Sequence, residues 1–544
     1  MRNSLLALAF VAALGSLSRA AQAEWLAGGN PVCTATGAQS NARCAPDGFG
    51  GAVLLWTDER RGSGLIDLYG TRILGDGALA PGWPAGGTAI ATSGNATSWS
   101  LVGDGDGGLI AFWLNGTTHE PCMQHVLGSG AFAPGFALGG KVLPIAVGAS
   151  NGFIFVGVSD DAGGAYLMWN HSDGTTDAVE VSRVDGTGSF ALGWTPAGVE
   201  QVAADPFTSI AAVGFGPDPS GGAVTCAIYP SGGQGVGTLT RTGPNGDGIA
   251  LRAGLSNPPA PGIPMTLVAD SAGGAFVTWY TGPTRRVQHI LADSTSAMPD
   301  PTVVPVFDGI YRDGNGGIYL FGRPDQLSHL ELHRRASDGS IPPPWTAAGV
   351  VVSDAGPFLS YSSALSGGLV YAAWTVGNAG AYDVRAAAVT ADGALAPGWP
   401  LNGIAVSDAP NDQVLTSVMA MPPTDALAVW ADVRDGEPDV YALRLTPTGR
   451  PSVGVSHRPV AFALALAPNP AGDRARASFT LPETGAAALE IVDVAGRVRA
   501  HLDAEPQSGP QSLALATARL PGGCYWARLR QGVHVTVQRF AVVH

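Results

Sequence analysis

The chain has 544 residues, 45% of them hydrophobic and only 13% charged, with a formal net charge of −14. This composition excludes a disordered protein, and the acidic balance argues against nucleic acid or an anionic membrane surface as the partner. The 77 glycines and 41 prolines suit many short strands joined by tight turns and leave little room for long helices.

At the N-terminus Arg2 precedes the apolar run "LLALAFVAAL" at Leu5–Leu14, and small residues end in "AQA" at Ala21–Ala23. That is the layout of a secretory signal peptide over residues 1–23, too short to span a bilayer. The expected mature chain begins at Glu24, is exported through the periplasm and is not inserted in the membrane. Five cysteines, Cys33, Cys44, Cys122, Cys226 and Cys524, form no CxxC pair. Only Cys33 and Cys44 are close in sequence, and an odd number cannot all pair within one chain.

From residue 24 onward the chain repeats itself. An acidic turn, a Gly-Gly and an apolar run ending in an aromatic recur as "DGFGGAVLLW" (Asp47–Trp56), "GDGGLIAFW" to Trp113, "DAGGAYLMW" to Trp169, "DPSGGAVTCA" (Asp218–Ala227) and "DSAGGAFVTW" to Trp279. Weaker copies end at Phe321, Trp374 and Trp430. A second element, an aromatic followed four residues later by Gly, stands at Trp83/Gly87, Phe136/Gly140, Trp194/Gly198, Trp345/Gly349 and Trp399/Gly403; "DGALAPGWP" occurs identically at Asp76–Pro84 and Asp392–Pro400. Units of about 50 residues with four short strands each have the arithmetic of β-propeller blades. The fourth strand of the last unit is missing at its end, but Trp25 and Gly29 supply the same offset just after the signal peptide. The expected architecture is all-β: an eight-bladed β-propeller over residues 24–450, closed by its N-terminal strand, with seven blades as the alternative count. The recurring tryptophans, placed on second and fourth strands, are read as packing between blades rather than a sugar-binding set. The acidic turns, including "GDGDGG" at Gly103–Gly108, lack the loop length and closing Glu of an EF-hand and are read as hairpin turns.

A linker over 451–466 leads to a tail, 467–544, in which about seven short alternating strands suggest a small β-sandwich. Its "PNP", Asp493 with Gly496-Arg497 in "VDVAGRV", the Leu-x-x-Gly-x-Tyr of Leu520–Tyr525 and a last apolar strand resemble the type IX secretion (Por) C-terminal sorting domain, which is similar to the immunoglobulin-like domain of flagellar hook-cap proteins. The resemblance implies recognition of residues 467–544 by the secretion machinery and delivery to the cell surface or medium. Cys524 and Arg539 depart from the family's usual small aliphatic residue and lysine.

The sequence contains no HExxH or Walker-type motif and no dinucleotide fingerprint followed by an acid on a helix, and it calls for no cofactor and no metal. One polar grouping breaks the repeat. In a four-stranded blade the loops after the second and fourth strands share a face; "WTDERR" and "WADVRD" place Asp58 with Arg60 and Asp432 with Arg434 on that face, with Gln39 and Gln413 at the crossings of the same two blades. These six residues are a candidate ligand site, or a pair of local Asp–Arg staples. The expected function is a non-catalytic, surface-displayed or secreted module binding an extracellular polymer or protein. The alternatives are a glycan hydrolase or lyase with its site in the central channel, and a structural envelope component.

Overall fold

The computed structural model describes residues 25–449 apart from 93, 146–154, 173–176, 205–211, 219–220, 232–233, 247, 256–264, 282–283, 299–301, 305–308 and 325–328. It also describes residues 464–543 apart from 468–470, 472–474, 482–485, 495–496, 505–508 and 532–533. The signal peptide expected at 1–23 and most of the expected linker lie outside the described residues.

Eight four-stranded antiparallel sheets follow one another along the chain. Blade 1 consists of Gln39–Pro46, Ala52–Asp58, Asp67–Ile73 and Thr88–Ala91. The innermost strands of the remaining blades are Ala96–Gly103, Phe155–Ser159, Ala212–Pro217, Met265–Ala269, Gly309–Arg312, Phe358–Ser366 and Gln413–Met421. Each of these first strands touches the first strand of both neighbours, and the last touches that of blade 1, so they encircle an axis. The second strand of a blade is flanked by its own sheet and by neighbouring blades on both faces. Ala52–Asp58 is therefore buried at every position, which is why it reads as a continuous apolar run instead of an alternation.

Blade 8 is built from both ends of the propeller. Its strands Gln413–Met421, Asp425–Asp432 and Asp439–Leu445 are completed by Asn30–Cys33, with Asn30 opposite Ala442 and Cys33 opposite Val440. Gly29 confirms the assignment through a close approach. Its φ is 87°, and a Cβ there would collide with the Trp430 ring of the same blade, as one at Gly87 would collide with Trp56. An outer strand held only by hydrogen bonds and packing thus closes the ring, and it covers the edge that Asp439–Leu445 would otherwise present.

The recurring Asp and Gly-Gly build the turn between first and second strands. Asp47 Oδ1 accepts from Phe49 N and Gly51 N at 2.7 and 2.8 Å, while Oδ2 pairs with Arg72 of the third strand at 2.8 Å. Gly51 is required because a Cβ would strike Ile73 O and the Asp47 carboxylate; the equivalent Gly108, Gly164, Gly274 and Gly317 face the same obstruction. These carboxylates are occupied by turn amides and by an arginine or histidine of their own blade, which supports the turn reading over the calcium one.

The aromatic-x-x-x-Gly element differs from the expectation in one respect: the aromatic lies in the turn before the outer strand, not on it, and its ring reaches the next blade. Trp25, Trp83, Trp194, Trp345 and Trp399 donate Nε1–H to Gly75 O (3.1 Å), Gly128 O (3.1 Å), Pro244 O (3.1 Å), Ala391 O (2.8 Å) and Pro447 O (2.9 Å), each in the turn that follows the next blade's third strand. The copied "DGALAPGWP" therefore both receives the preceding blade's tryptophan and sends its own forward. Third-strand cations share the same acceptors: Arg444 Nη1 reaches Gly75 O at 3.0 Å and Arg334 Nη1 reaches Ala391 O at 3.4 Å.

In the tail, seven strands form a three-stranded and a four-stranded sheet, and residues from both, among them Phe479, Leu489, Tyr525 and Phe540, make one apolar core. The quoted motifs have structural roles there. Asp493 accepts from Arg497 N at 2.9 Å and Arg499 Nε at 2.7 Å across a hairpin, and Tyr525 OH donates to Pro521 O at 2.8 Å, a bond of the kind that anchors strand corners in immunoglobulin-like sandwiches. Arg539 Nη2 lies 3.4 Å from Cys524 Sγ.

Candidate functional site

The six polar residues singled out in the sequence separate into two equivalent trios. Gln39 lies opposite Asp58 in blade 1 and Gln413 opposite Asp432 in blade 8. Asp58, fully buried, accepts Trp56 Nε1–H at 2.9 Å, Arg60 N at 2.9 Å, and a two-pronged contact from Arg60 Nε and Nη2 at 2.8 and 2.6 Å. Asp432 repeats this with Trp430, Arg434 N, Nε and Nη2. Each guanidinium then stacks on a third-strand tyrosine, Tyr69 at 3.7 Å and Tyr441 at 4.1 Å, and crosses to outer-strand segments: Arg60 to Gly86 O, Arg434 to Gly28 O. The arginines also reach the neighbouring blade, Arg60 to Cys33 Sγ of blade 8 at 3.5 Å and Arg434 to Ser407 Oγ of blade 7 at 3.2 Å, and Gln39 N of blade 1 donates to Pro438 O of blade 8 at 2.7 Å. Among the described residues Gln39 Oε1 and Gln413 Oε1 are buried without a hydrogen-bond partner.

The two loops differ in what meets the aspartate that opens the third strand. In blade 1, Arg61 pairs with Asp67 at 2.5 Å. In blade 8 the corresponding residue is Asp435, so Asp439 faces acids instead; burial, then Asp435 and Asp432, push its pKa up to about 6. Glu180 is raised further, to about 7, by burial and then by Glu200. That pair spans the third and outer strands of blade 3, on the periphery and not on the axis.

The histidines absorbed by the fold are His125 and His289, which stand where blades 1, 3, 4, 6 and 8 use arginine. Nε2 of each meets the turn carboxylate, Asp104 at 3.0 Å and Asp270 at 2.9 Å, and Nδ1–H donates to the next blade, at Gly186 O and Ser337 O. Burial opposes ionisation of Asp104 and Asp270, but the histidine and two turn amides hold both carboxyls below the usual range. All five cysteines are free thiols; Cys33 is on the closing strand and Cys44 on the innermost strand of blade 1, and burial raises their pKa to about 11 and about 12.

The sequence reading missed the channel wall. Trp99 and Trp526 are the two tryptophans outside the repeat phase, and Trp99 lies on the innermost strand of blade 2. Arg43, exposed on the innermost strand of blade 1, places its guanidinium 4.4 Å over the Trp99 ring and donates to Trp99 O at 2.9 Å. The off-phase tryptophan was the available signal.

No family model and no curated protein matches the chain. Among solved structures it is similar to a prolyl endopeptidase (15% identity, 75% of this chain and 58% of that one, TM-score 0.39) and to the Dos1 propeller (9%, 74% and 92%, 0.37). It is also similar to the propeller domain of the trilobed protease from Pyrococcus furiosus, described as having an open velcro topology (11%, 76% and 99%, 0.36). The chain is a β-propeller protein. It spans little more than half of the prolyl endopeptidase, and at these identities the likeness is one of fold alone.

Proposed function

We propose that this chain is an exported propeller that binds an extracellular polymer without transforming it, and that its tail is the address read by a secretion machinery. The observation carrying the binding reading is the division of labour among polar groups. Turn acids, third-strand cations and turn tryptophans are engaged within and between blades, whereas the accessible side chains of the innermost strands include hydroxyls such as Ser40 and Thr97, the amide of Asn41, the aromatics Trp99 and Tyr361, aliphatics such as Leu359, and the arginines Arg43 and Arg312. Such a surface offers hydrogen bonds and apolar faces on a rigid ring, which suits recognition. A glycan array probed with the purified full chain tests it: retention of a polymer unchanged in length supports the reading, and depolymerisation of any arrayed glycan overturns it in favour of a hydrolase or lyase. For the tail, support comes from the motif order and from Asp493 and Tyr525 serving as strand anchors. Residues 455–544 fused to a reporter carrying a signal peptide should leave the cell in a host with type IX secretion; retention in the periplasm refutes the address.

A further inference from the structure

Arg72, Arg183, Arg241, Arg334 and Arg444 each tie the acidic turn of their blade to its third strand. Three of them also cross to a carbonyl of the following blade: Arg72 Nη1 to Gly128 O, Arg334 Nη1 to Ala391 O and Arg444 Nη1 to Gly75 O. A guanidinium serves both acceptors at any physiological pH, because it has five N–H groups and keeps its charge. Blades 2 and 5 meet the same two acceptors with His125 and His289, and imidazole has only two nitrogens to offer.

At each histidine both nitrogens face an acceptor. His125 places Nδ1 2.7 Å from Gly186 O of blade 3 and Nε2 3.0 Å from Asp104 Oδ2; His289 places Nδ1 2.9 Å from Ser337 O of blade 6 and Nε2 2.9 Å from Asp270 Oδ2. Neither a carbonyl nor an ionised carboxylate can donate, and neutral imidazole carries one N–H, so both contacts are hydrogen bonds only in the imidazolium form. The carboxylates are kept ionised by two turn amides apiece, Asp106 N and Gly108 N on Asp104 and Ala272 N and Gly274 N on Asp270. Face-to-face stacking of His289 on Phe276, with centroids 3.8 Å apart, sets a π face against the ring that favours positive charge.

The other ionisable groups at the two seams are of both signs. Around His125 they are Asp106 of the same turn, Arg72 arriving from blade 1, the Asp160–Arg183 pair of blade 3, and Asp185 with Lys141 at the blade 3 turn, where Lys141 Nζ reaches Thr187 O. Around His289 they are Asp293 of its own blade, Arg241 of blade 4 beside Gly273, and, from blade 6, Arg312 on Ser271 Oγ, the Asp313–Arg334 pair and Asp338. When one proton leaves the ring for solvent, the carboxylate, an anion, retains the remaining N–H, and the Nδ1 lone pair is left against a carbonyl oxygen of the next blade. The bond that fails is therefore the one between blades.

We infer that His125 and His289 are pH-operated links, fastening blade 2 to blade 3 and blade 5 to blade 6 while their rings are charged and releasing both seams as pH rises through the range in which imidazole titrates. These seams bound blades 3, 4 and 5, so release frees that arc to move as a unit against blades 6, 7, 8, 1 and 2. Apolar contacts across each seam persist, among them Phe112 with Phe155 and the cluster of Phe276, Ile310 and Leu320; the seams loosen and the ring stays folded.

The test is hydrogen exchange followed by mass spectrometry on the full chain, wild type against His125→Arg/His289→Arg, at about pH 6 and about pH 8.5. Comparing the two proteins at each pH cancels the intrinsic pH dependence of exchange. At the lower pH they should exchange alike across residues 121–126, 184–191, 284–290 and 335–341. At the higher pH the wild type should exchange about threefold or more faster there, with no difference at the seam of blades 8 and 1, which Arg444 serves. His125→Arg alone should protect only the seam of blades 2 and 3. A wild-type to variant ratio that is the same at both pH values overturns the proposal, as does an equal change at the Arg444 seam. Should the arginine variants fail to fold, nitrogen-15 NMR of the histidine-labelled wild type carries the test. Two rings protonated on both nitrogens at the lower pH, losing the Nδ1 proton by the higher pH as exchange at 184–191 and 335–341 quickens, support it; rings neutral at the lower pH or still charged at the higher refute it.

Discussion

Replacing Trp25 tests the closure of the ring most directly. The side chain is 7% exposed, its Nε1–H reaches Gly75 O in blade 1, and it precedes the four-residue strand that completes blade 8. Trp25→Ala removes a buried indole, a change that costs roughly 3–5 kcal/mol where the site cannot collapse. Trp25→Phe keeps nearly all of the buried area and loses one hydrogen bond. Since Gly75 O retains Arg444 Nη1 as a donor at 3.0 Å, that carbonyl is not orphaned, and the cost should stay near or below about 1 kcal/mol. Trp83→Ala is the control, because Trp83 is 5% exposed and makes the same bond to Gly128 O, yet it joins blades 1 and 2, neither of which borrows a strand from elsewhere in the chain. Urea titrations followed by fluorescence and far-ultraviolet circular dichroism, with limited proteolysis within residues 24–37, separate the cases. W25A should show an added early transition and early cleavage, and W83A a lower midpoint without them. If W25A lies within about 1 kcal/mol of wild type, or if the two variants unfold alike, the N-terminal strand does not hold the ring in the way described.

Removing Arg60 and Arg434 together should lower the melting temperature markedly, because each leaves a buried carboxylate without its cation, a loss of roughly 3–5 kcal/mol per pair at most; unchanged melting with lost ligand binding would return the cluster to a ligand role. Asp435→Arg should recreate in blade 8 the Arg61–Asp67 pairing of blade 1. Asp439 has a folded pKa near 6, above its unfolded value, so its favourable contribution is present at low pH and is lost as pH rises through about 6. The gain from D435R, below about 2 kcal/mol after solvent screening, should therefore be larger at pH 8 than at pH 4.5, and a pH-independent gain would refute the assignment. Asp104→Asn should destabilise by roughly 1–2 kcal/mol at neutral pH. Its folded pKa is depressed, so the wild-type advantage is lost as pH falls through that depressed value; thermal melts at pH 7 and pH 2.5 check this, and an equal difference at both would count against it.

The repeat phase alone determined the four-strand unit and the return of Trp25 and Gly29 to blade 8, and it narrowed the blade count to eight or seven, which the eight sheets of the structure decide. These features recur because every blade must solve the same packing problem with the same residue types, so one linear pattern shows them all. The Asp turn was legible for the same reason: its carboxylate, its two amide donors and its Gly-Gly lie within five positions. The partners of the turn tryptophans were not, since their rings act about 50 residues away, on the next blade, and the pattern that marks them does not say which way they point. Six polar residues looked like one cluster because ring closure makes blades 1 and 8 neighbours; side-chain reach decided otherwise, for Asp58 and Asp432 each satisfy their own arginine and tryptophan before either trio can meet the other. Trp99 was marked in the sequence only by being off the repeat phase, and Arg43 by nothing. They meet across the seam of blades 1 and 2, 56 residues apart, a contact set by the packing of neighbouring innermost strands that leaves no periodic mark in the chain.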